Sequence, residues 1–299
     1  MWHTSLRKLN TDGTNPTILQ EFGDPKEYES PVGAYAMSYD PLARQFYIAS
    51  GQGTIIRTEI DGSNPTTVIT EARQSTWITS VVVHGVKLYY GIGYEGILKR
   101  ANLDGSGKET FLNISQGINF SYGKSYTPAY SYPNGIAIDE ANNFIYYSVH
   151  TSDLPHGGSI RRAPLQANTT KIEVLAQDIY DPEQLRLLKN STLYWAEIGP
   201  YSGGATAIRR AYFPPNESLE PGDVAVETLV SSNTTNLLPY GIASFAISEE
   251  EGKVWVAANS AAAKSSGGVL EMDLNGKGLR VLNDNVTQIG VPAGIEYVV

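Results

Sequence analysis

Six recurrences of a strand motif, basic in five of its copies, that ends at or near a turn, a short aromatic strand upstream of five of them, and a proline- or aromatic-led strand in each interval predict an all-β chain. Four such strands recurring about every fifty residues describe a six-bladed β-propeller of four-stranded antiparallel blades.

This motif is the third strand of each blade. It runs Ser5-Leu-Arg-Lys-Leu-Asn-Thr-Asp-Gly, Ile55-Ile-Arg-Thr-Glu-Ile-Asp-Gly, Ile97-Leu-Lys-Arg-Ala-Asn-Leu-Asp-Gly, Ser159-Ile-Arg-Arg-Ala, Ala207-Ile-Arg-Arg-Ala and Val269-Leu-Glu-Met-Asp-Leu-Asn-Gly. Phe46-Tyr-Ile-Ala, Leu88-Tyr-Tyr-Gly, Ile145-Tyr-Tyr-Ser, Leu193-Tyr-Trp-Ala and Val254-Trp-Val-Ala supply the second strands. First strands open at Pro31-Val-Gly, Pro133-Asn-Gly, Pro239-Tyr-Gly and Pro292-Ala-Gly, and more loosely at Thr76-Trp-Ile and Pro182-Glu-Gln. Fourth strands follow the Asp-Gly turns or their equivalents, at Thr67-Val-Ile, Glu109-Thr-Phe-Leu, Glu173-Val-Leu and Arg280-Val-Leu. In this register the chain starts at a third strand and ends on a first strand, so the N- and C-terminal strands are expected to pair in one sheet, closing a single domain over residues 1–299 and hiding its edges.

Composition agrees and excludes several functions. Twenty-nine Gly, sixteen Pro and nineteen Tyr suit short strands and tight turns. A net charge of −9 argues against a nucleic-acid partner, which needs clustered cations. No run is long and apolar enough to span a membrane, and the start lacks the apolar core of a signal peptide, as in a mature or trimmed form. With no Cys there is neither a disulfide framework nor a thiolate metal site. Seven N-x-Ser/Thr sequons, at Asn113, Asn119, Asn168, Asn190, Asn216, Asn233 and Asn285, favour a secreted or secretory-lumen protein carrying N-linked glycans.

Leu193-Tyr-Trp-Ala-Glu and Arg100-Ala-Asn-Leu-Asp-Gly-Ser make the chain resemble the six-bladed YWTD (LDL-receptor class B) propellers over its full length. The family's closing Asp is replaced by Ser50, Ile92, Val149, Glu197 and Ala258, so receptor-type ligand binding is not implied. Cys-free, sequon-rich propellers of this size also resemble fungal propellers that perform hetero-Diels–Alder cyclisation in tropolone-terpenoid biosynthesis, and no catalytic residue carries over from that likeness.

Loop lengths point to one functional face, which receives the connections 23–30, 91–96, 113–132, 150–158, 199–206 and 259–268. The longest carries Phe120, Tyr122, Tyr126, Tyr130 and Tyr132, as a lid or as a loop packed on its own aromatics. Residues just after each first-strand opening are expected to ring the axial channel: Val32, Trp77, Asn134, Glu183, Tyr240 and Ala293. That mix suits a hydrophobic small molecule and equally suits ordinary packing around a hydrated hole. Tyr94, Tyr201 and Asn259, on the loops of this face, are further candidate substrate contacts. His150, Asp153 and His156 share one loop, and Glu197 closes its strand beside Tyr201, so His150, His156, Glu197 and Glu183 are the candidate acids and bases. The expected activity is cofactor-free and metal-free cyclisation of a hydrophobic metabolite, of hetero-Diels–Alder type, with dehydration to a quinone methide assisted by these groups. Two alternatives stay open: a module that binds protein or glycan, and a metal-dependent lactonase, for which only Glu183 and Asn134 fit the expected axial ligands.

Overall fold

The computed structural model describes residues 5–21, 34–71, 77–93, 95–114, 131–151, 157–199, 206–235, 237, 242–258, 268–285 and 294–298. All regular structure among them is β. Strands β1 (Ser5–Lys8) and β2 (Thr17–Glu21) form a two-stranded sheet. Strands β3 (Ala34–Asp40), β4 (Gln45–Ser50), β5 (Thr54–Glu59) and β6 (Thr66–Thr70) form the first four-stranded sheet, and β7 (Ile78–His84), β8 (Lys87–Ile92), β9 (Ile97–Asn102) and β10 (Glu109–Asn113) the second. The third holds β11 (Ser131–Asp139), β12 (Phe144–Thr151), β13 (Gly158–Pro164) and β14 (Glu173–Ile179). The fourth holds β15 (Asp181–Leu187), β16 (Thr192–Ile198), β17 (Ala207–Tyr212) and β18 (Glu227–Ser231), and the fifth β19 (Ile242–Ser248), β20 (Lys253–Ala258), β21 (Gly268–Asp273) and β22 (Arg280–Asn283). In every sheet the strands lie in chain order.

The four-stranded antiparallel blade is therefore as the sequence predicts, but among the described residues the blades number five and not six. The N-terminal repeat, read as part of a sixth blade, builds only the hairpin β1–β2. Pro292 and Ala293 lie outside the described residues, and Gly294–Val298 beyond them form no strand, so the expected pairing of the chain's two terminal strands is not made there. Instead Ile295 donates its N–H to Ser244 Oγ (3.2 Å), and the Tyr297 ring stacks on Trp255 with centroids 4.8 Å apart.

Each blade is built on the same physics. Its second strand is apolar on both faces and almost wholly buried, as in β4, β8, β16 and β20, because a blade in the middle of a stack is covered on both sides. The fourth strands β6, β10, β18 and β22 begin exposed, as does β2, whereas β14 begins half-buried. In the hairpin β1–β2 and in the pairs β5–β6, β9–β10 and β21–β22 the strands join at Asp-Gly or Asn-Gly turns, in which Gly13, Gly62, Gly105 and Gly276 take φ of 85°, 83°, 84° and 76° and donate N–H bonds of 2.9 Å to the carbonyls of Asn10, Glu59, Asn102 and Asp273.

The chain divides into two compact units, residues 79–228 and residues 1–78 with 229–299. In the first, one apolar cluster joins Tyr89, Phe111, Ile136 and Tyr147, and another joins Tyr146, Leu185, Trp195 and Phe213. In the second, the hairpin β1–β2 lies between two sheets: Leu6 packs with Phe46 and Ile48, while Asn283 Nδ2 donates to Gly13 O (3.0 Å) and Trp255 Nε1 to Thr11 O (3.3 Å).

Candidate functional site

A β-bulge recurs near the start of β3, β11, β15 and β19, where one extra residue slips the register against the second strand. Bulges re-aim side chains. In β11 the slip falls between Tyr132 and Gly135 and turns out Asn134; in β15 it falls between Pro182 and Leu185 and turns out Glu183. Both bulges are pinned through their carbonyls. Pro133 O accepts from Thr79 Oγ1 (2.7 Å) and Ser80 Oγ (2.8 Å), and Glu183 O accepts from Ser148 Oγ (3.0 Å). Gly135 lets the two strands approach, since a Cβ there would sit 2.6 Å from Glu183 O and 2.8 Å from Leu185 N.

The approach gathers four polar side chains at the start of β11, the end of β12 and the start of β15. His150 Nδ1 lies 2.8 Å from Asp181 Oδ1, which also accepts from Asn134 Nδ2 at 3.2 Å. The same Nδ2 is 3.4 Å from Glu183 Oε1, and the Tyr132 ring lies beside the imidazole at 5.8 Å. A carboxylate can only accept, so His150 carries its proton on Nδ1 and, when neutral, offers the Nε2 lone pair.

Glu183 keeps some solvent access, yet protein atoms crowd its carboxyl. Desolvation first, and the neighbouring Asp181 carboxylate second, raise its pKa well above the ordinary 4.5. The site thus holds a carboxylic acid disposed to keep its proton beside an imidazole aligned to take one. Among the described residues no group of three or more His, Asp or Glu side chains is arranged to hold a metal ion.

Of the residues singled out from sequence, Asn134, Glu183 and His150 come together. Glu197 does not join them. It is fully buried, with Oε1 accepting from Trp195 Nε1 (2.8 Å) and facing Arg209 Nε at 2.8 Å in an ionic contact without hydrogen-bond alignment, while Oε2 has no hydrogen-bond partner. Trp77 belongs to the other unit and is 37% exposed. His156, Asp153, Tyr94, Tyr126, Tyr201, Tyr240, Asn259 and Asn119 lie outside the described residues. The sequon residues Asn113, Asn168, Asn190, Asn216, Asn233 and Asn285 are all exposed. Sequence reasoning missed Asp181, the hub of the cluster. Its signal was its place just before the β15 opening Pro182-Glu183, two residues from Glu183 and so on the same face of an extended strand.

Solved structures with the same arrangement include a chain of the nidogen/laminin complex (17% identity, 87% of this chain and 81% of that one, TM-score 0.58). They also include a gluconolactonase from Xanthomonas campestris (16%, 85% and 76%, TM-score 0.57) and the β-propeller domain of Cps50 (Swd1) from Myceliophteria thermophila (10%, 89% and 76%, TM-score 0.54). The fold is a β-propeller. Identities this low carry the fold alone. No protein-family model and no curated protein matches the chain, and with five blades in place of six the resemblance to six-bladed YWTD propellers does not hold as an assignment.

Proposed function

We propose that the cluster of His150, Asp181, Glu183 and Asn134 is the acid–base centre of an enzyme that removes water from a small, largely hydrophobic organic molecule. One observation carries this reading: a carboxyl whose surroundings favour its protonated form lies beside an imidazole held by a carboxylate. In this scheme His150 Nε2 takes a proton from the substrate while Glu183 gives one to the departing hydroxyl, so water leaves and the substrate gains a double bond. Asp181 fixes the imidazole tautomer and stabilises the imidazolium; Asn134 Nδ2 holds Asp181 and Glu183 in register. Proton return from His150 to Glu183 through solvent resets the pair. A ring closure of the unsaturated product would need positioning alone, worth up to about 7–11 kcal/mol of barrier in well-oriented systems.

The test is incubation of the protein with hydroxylated aromatic and terpenoid metabolites, following loss of water by mass. Conversion is expected, and Glu183→Gln and His150→Ala should each slow it about 10²–10⁴-fold. Full activity in both variants would overturn the assignment.

A second reading, lactone hydrolysis, is favoured by the likeness to a gluconolactonase and by the amide and carboxylates that adjacent blades contribute to one point. There His150 would activate water and Glu183 would protonate the leaving oxygen. Aldonolactone opening followed by acid release, with and without added divalent ions, separates the two readings.

A further inference from the structure

We propose that Asn190 is an N-glycosylation site whose first sugar lies on the exposed ring of Tyr212. Asn190-Ser191-Thr192 forms the tight turn between β15 and β16, closed by Leu188 N–H to Thr192 O (2.9 Å) and Ser191 N–H to Leu188 O (3.0 Å). Asn190 is exposed, and its Oδ1 accepts the Thr192 N–H at 3.1 Å. Its Nδ2, the atom that would bond to the sugar, has no hydrogen-bond partner among the described residues. The side chain is thus folded over Thr192 with its amide nitrogen free.

Thr192 is directly opposite Tyr212 across β16 and β17. Directly opposed residues have their Cβ atoms about 4.5–5.5 Å apart on the same face of the sheet. Tyr212 is 52% exposed, and its side chain makes no ring, ionic or hydrogen-bond contact among the described residues. The apolar C–H face of an N-acetylglucosamine attached to Asn190 can cover this ring, as aromatic faces take up apolar surface while leaving polar edges wet.

Position within the blades supports the assignment. The exposed sequon residues Asn168 and Asn216 lie in the β13–β14 and β17–β18 connections, so three sequons share the turn end of residues 79–228. The acid–base cluster lies at the other end, where β11 and β15 begin and β12 finishes. Glycans on the turn end leave that cluster accessible.

The protein secreted from a eukaryotic host is treated with an N-glycan-releasing amidase in heavy-oxygen water, and its peptides are mapped. Asn190 is expected to appear as labelled Asp. In a parallel experiment, Tyr212→Ala should lower the Tm of the glycosylated protein by about 2–4 °C more than that of the enzymatically deglycosylated protein. The same substitution in an Asn190→Gln background should show no such difference. An unmodified Asn190 overturns the site, and an equal Tyr212→Ala effect in both forms overturns the stacking.

Discussion

Glu183 ties chemistry to stability through a single proton. In the unfolded chain this residue ionises near 4.5, whereas in the fold burial and the Asp181 carboxylate delay ionisation to higher pH. Below about 4.5 both states hold the proton, and the group's contribution is fully present; as pH rises the unfolded state releases it first, and stability falls until Glu183 ionises in the fold as well. Each pH unit between the two ionisations costs about 1.4 kcal/mol. Glu183→Gln cannot ionise and escapes this loss. Thermal melts of the two proteins across pH 4–8 should therefore show the variant gaining on the wild type as pH rises, with most of the gap closed at the acid end. A constant offset across the range would mean that Glu183 is an ordinary carboxylate.

At the scale of elements, the bulged first strands turn a repeating sheet into a site, and the bonds that pin them can be tested separately from the side chains they aim. Ser148→Ala removes the hydroxyl that holds Glu183 O, and it should lower turnover while leaving the melt within about 1–1.5 kcal/mol of wild type, the value of one neutral hydrogen bond. Gly135→Ala forces backbone against backbone and should cost about 1–3 kcal/mol or more, because neither Glu183 O nor Leu185 N can swing aside as a side-chain tip would. A third-strand arginine paired with a fourth-strand glutamate recurs as Arg100–Glu109, Arg162–Glu173 and Arg210–Glu227. Only Arg162 is buried, 4.6 Å from the Phe144 ring centroid and donating also to the carbonyls of Pro214 and Glu217. Its removal empties a buried site beside Phe144 and unpairs Glu173 and two carbonyls, all of which keep some solvent access. Arg162→Ala should cost about 2–3 kcal/mol through lost packing and hydrogen bonds; Arg100→Ala, at a solvent-screened pair, about 1 kcal/mol or less. Denaturant melts of the two variants decide this, and equal losses would refute the ranking.

For the molecule as a whole, the four-strand repeat was readable because most strands carry their own signal: a continuous apolar run for the second, basic residues for the third in β5, β9, β13 and β17, and a glycine turn before the fourth at Gly62, Gly105 and Gly276. The blade count was not. Ser5-Leu-Arg-Lys and its Asp12-Gly13 turn mark a hairpin, and a hairpin motif does not guarantee two further strands beside it. The cluster was half legible, since Asn134 and Glu183 follow from the position after an opening proline. Asp181 was within reach from its place two residues before Glu183, but the meeting of His150 with the β15 side chains follows from bulges, which depend on strand pairing that no local pattern encodes. The same architecture predicts how stability is distributed. Strands β4, β8, β16 and β20 are buried along nearly their whole length and bonded on both edges, so their amides open only with the sheet. Strands β2, β6 and β22 begin exposed at the outer edge, and β1–β2 has only two strands, an arrangement marginal by itself and dependent here on Phe46, Asn283 and Trp255. Hydrogen exchange followed by peptide mass should therefore rank the second strands slowest, outer strands faster and the N-terminal hairpin fastest of all the sheets. A hairpin protected as well as β8 or β16 would show that its neighbours hold it as firmly as a full blade.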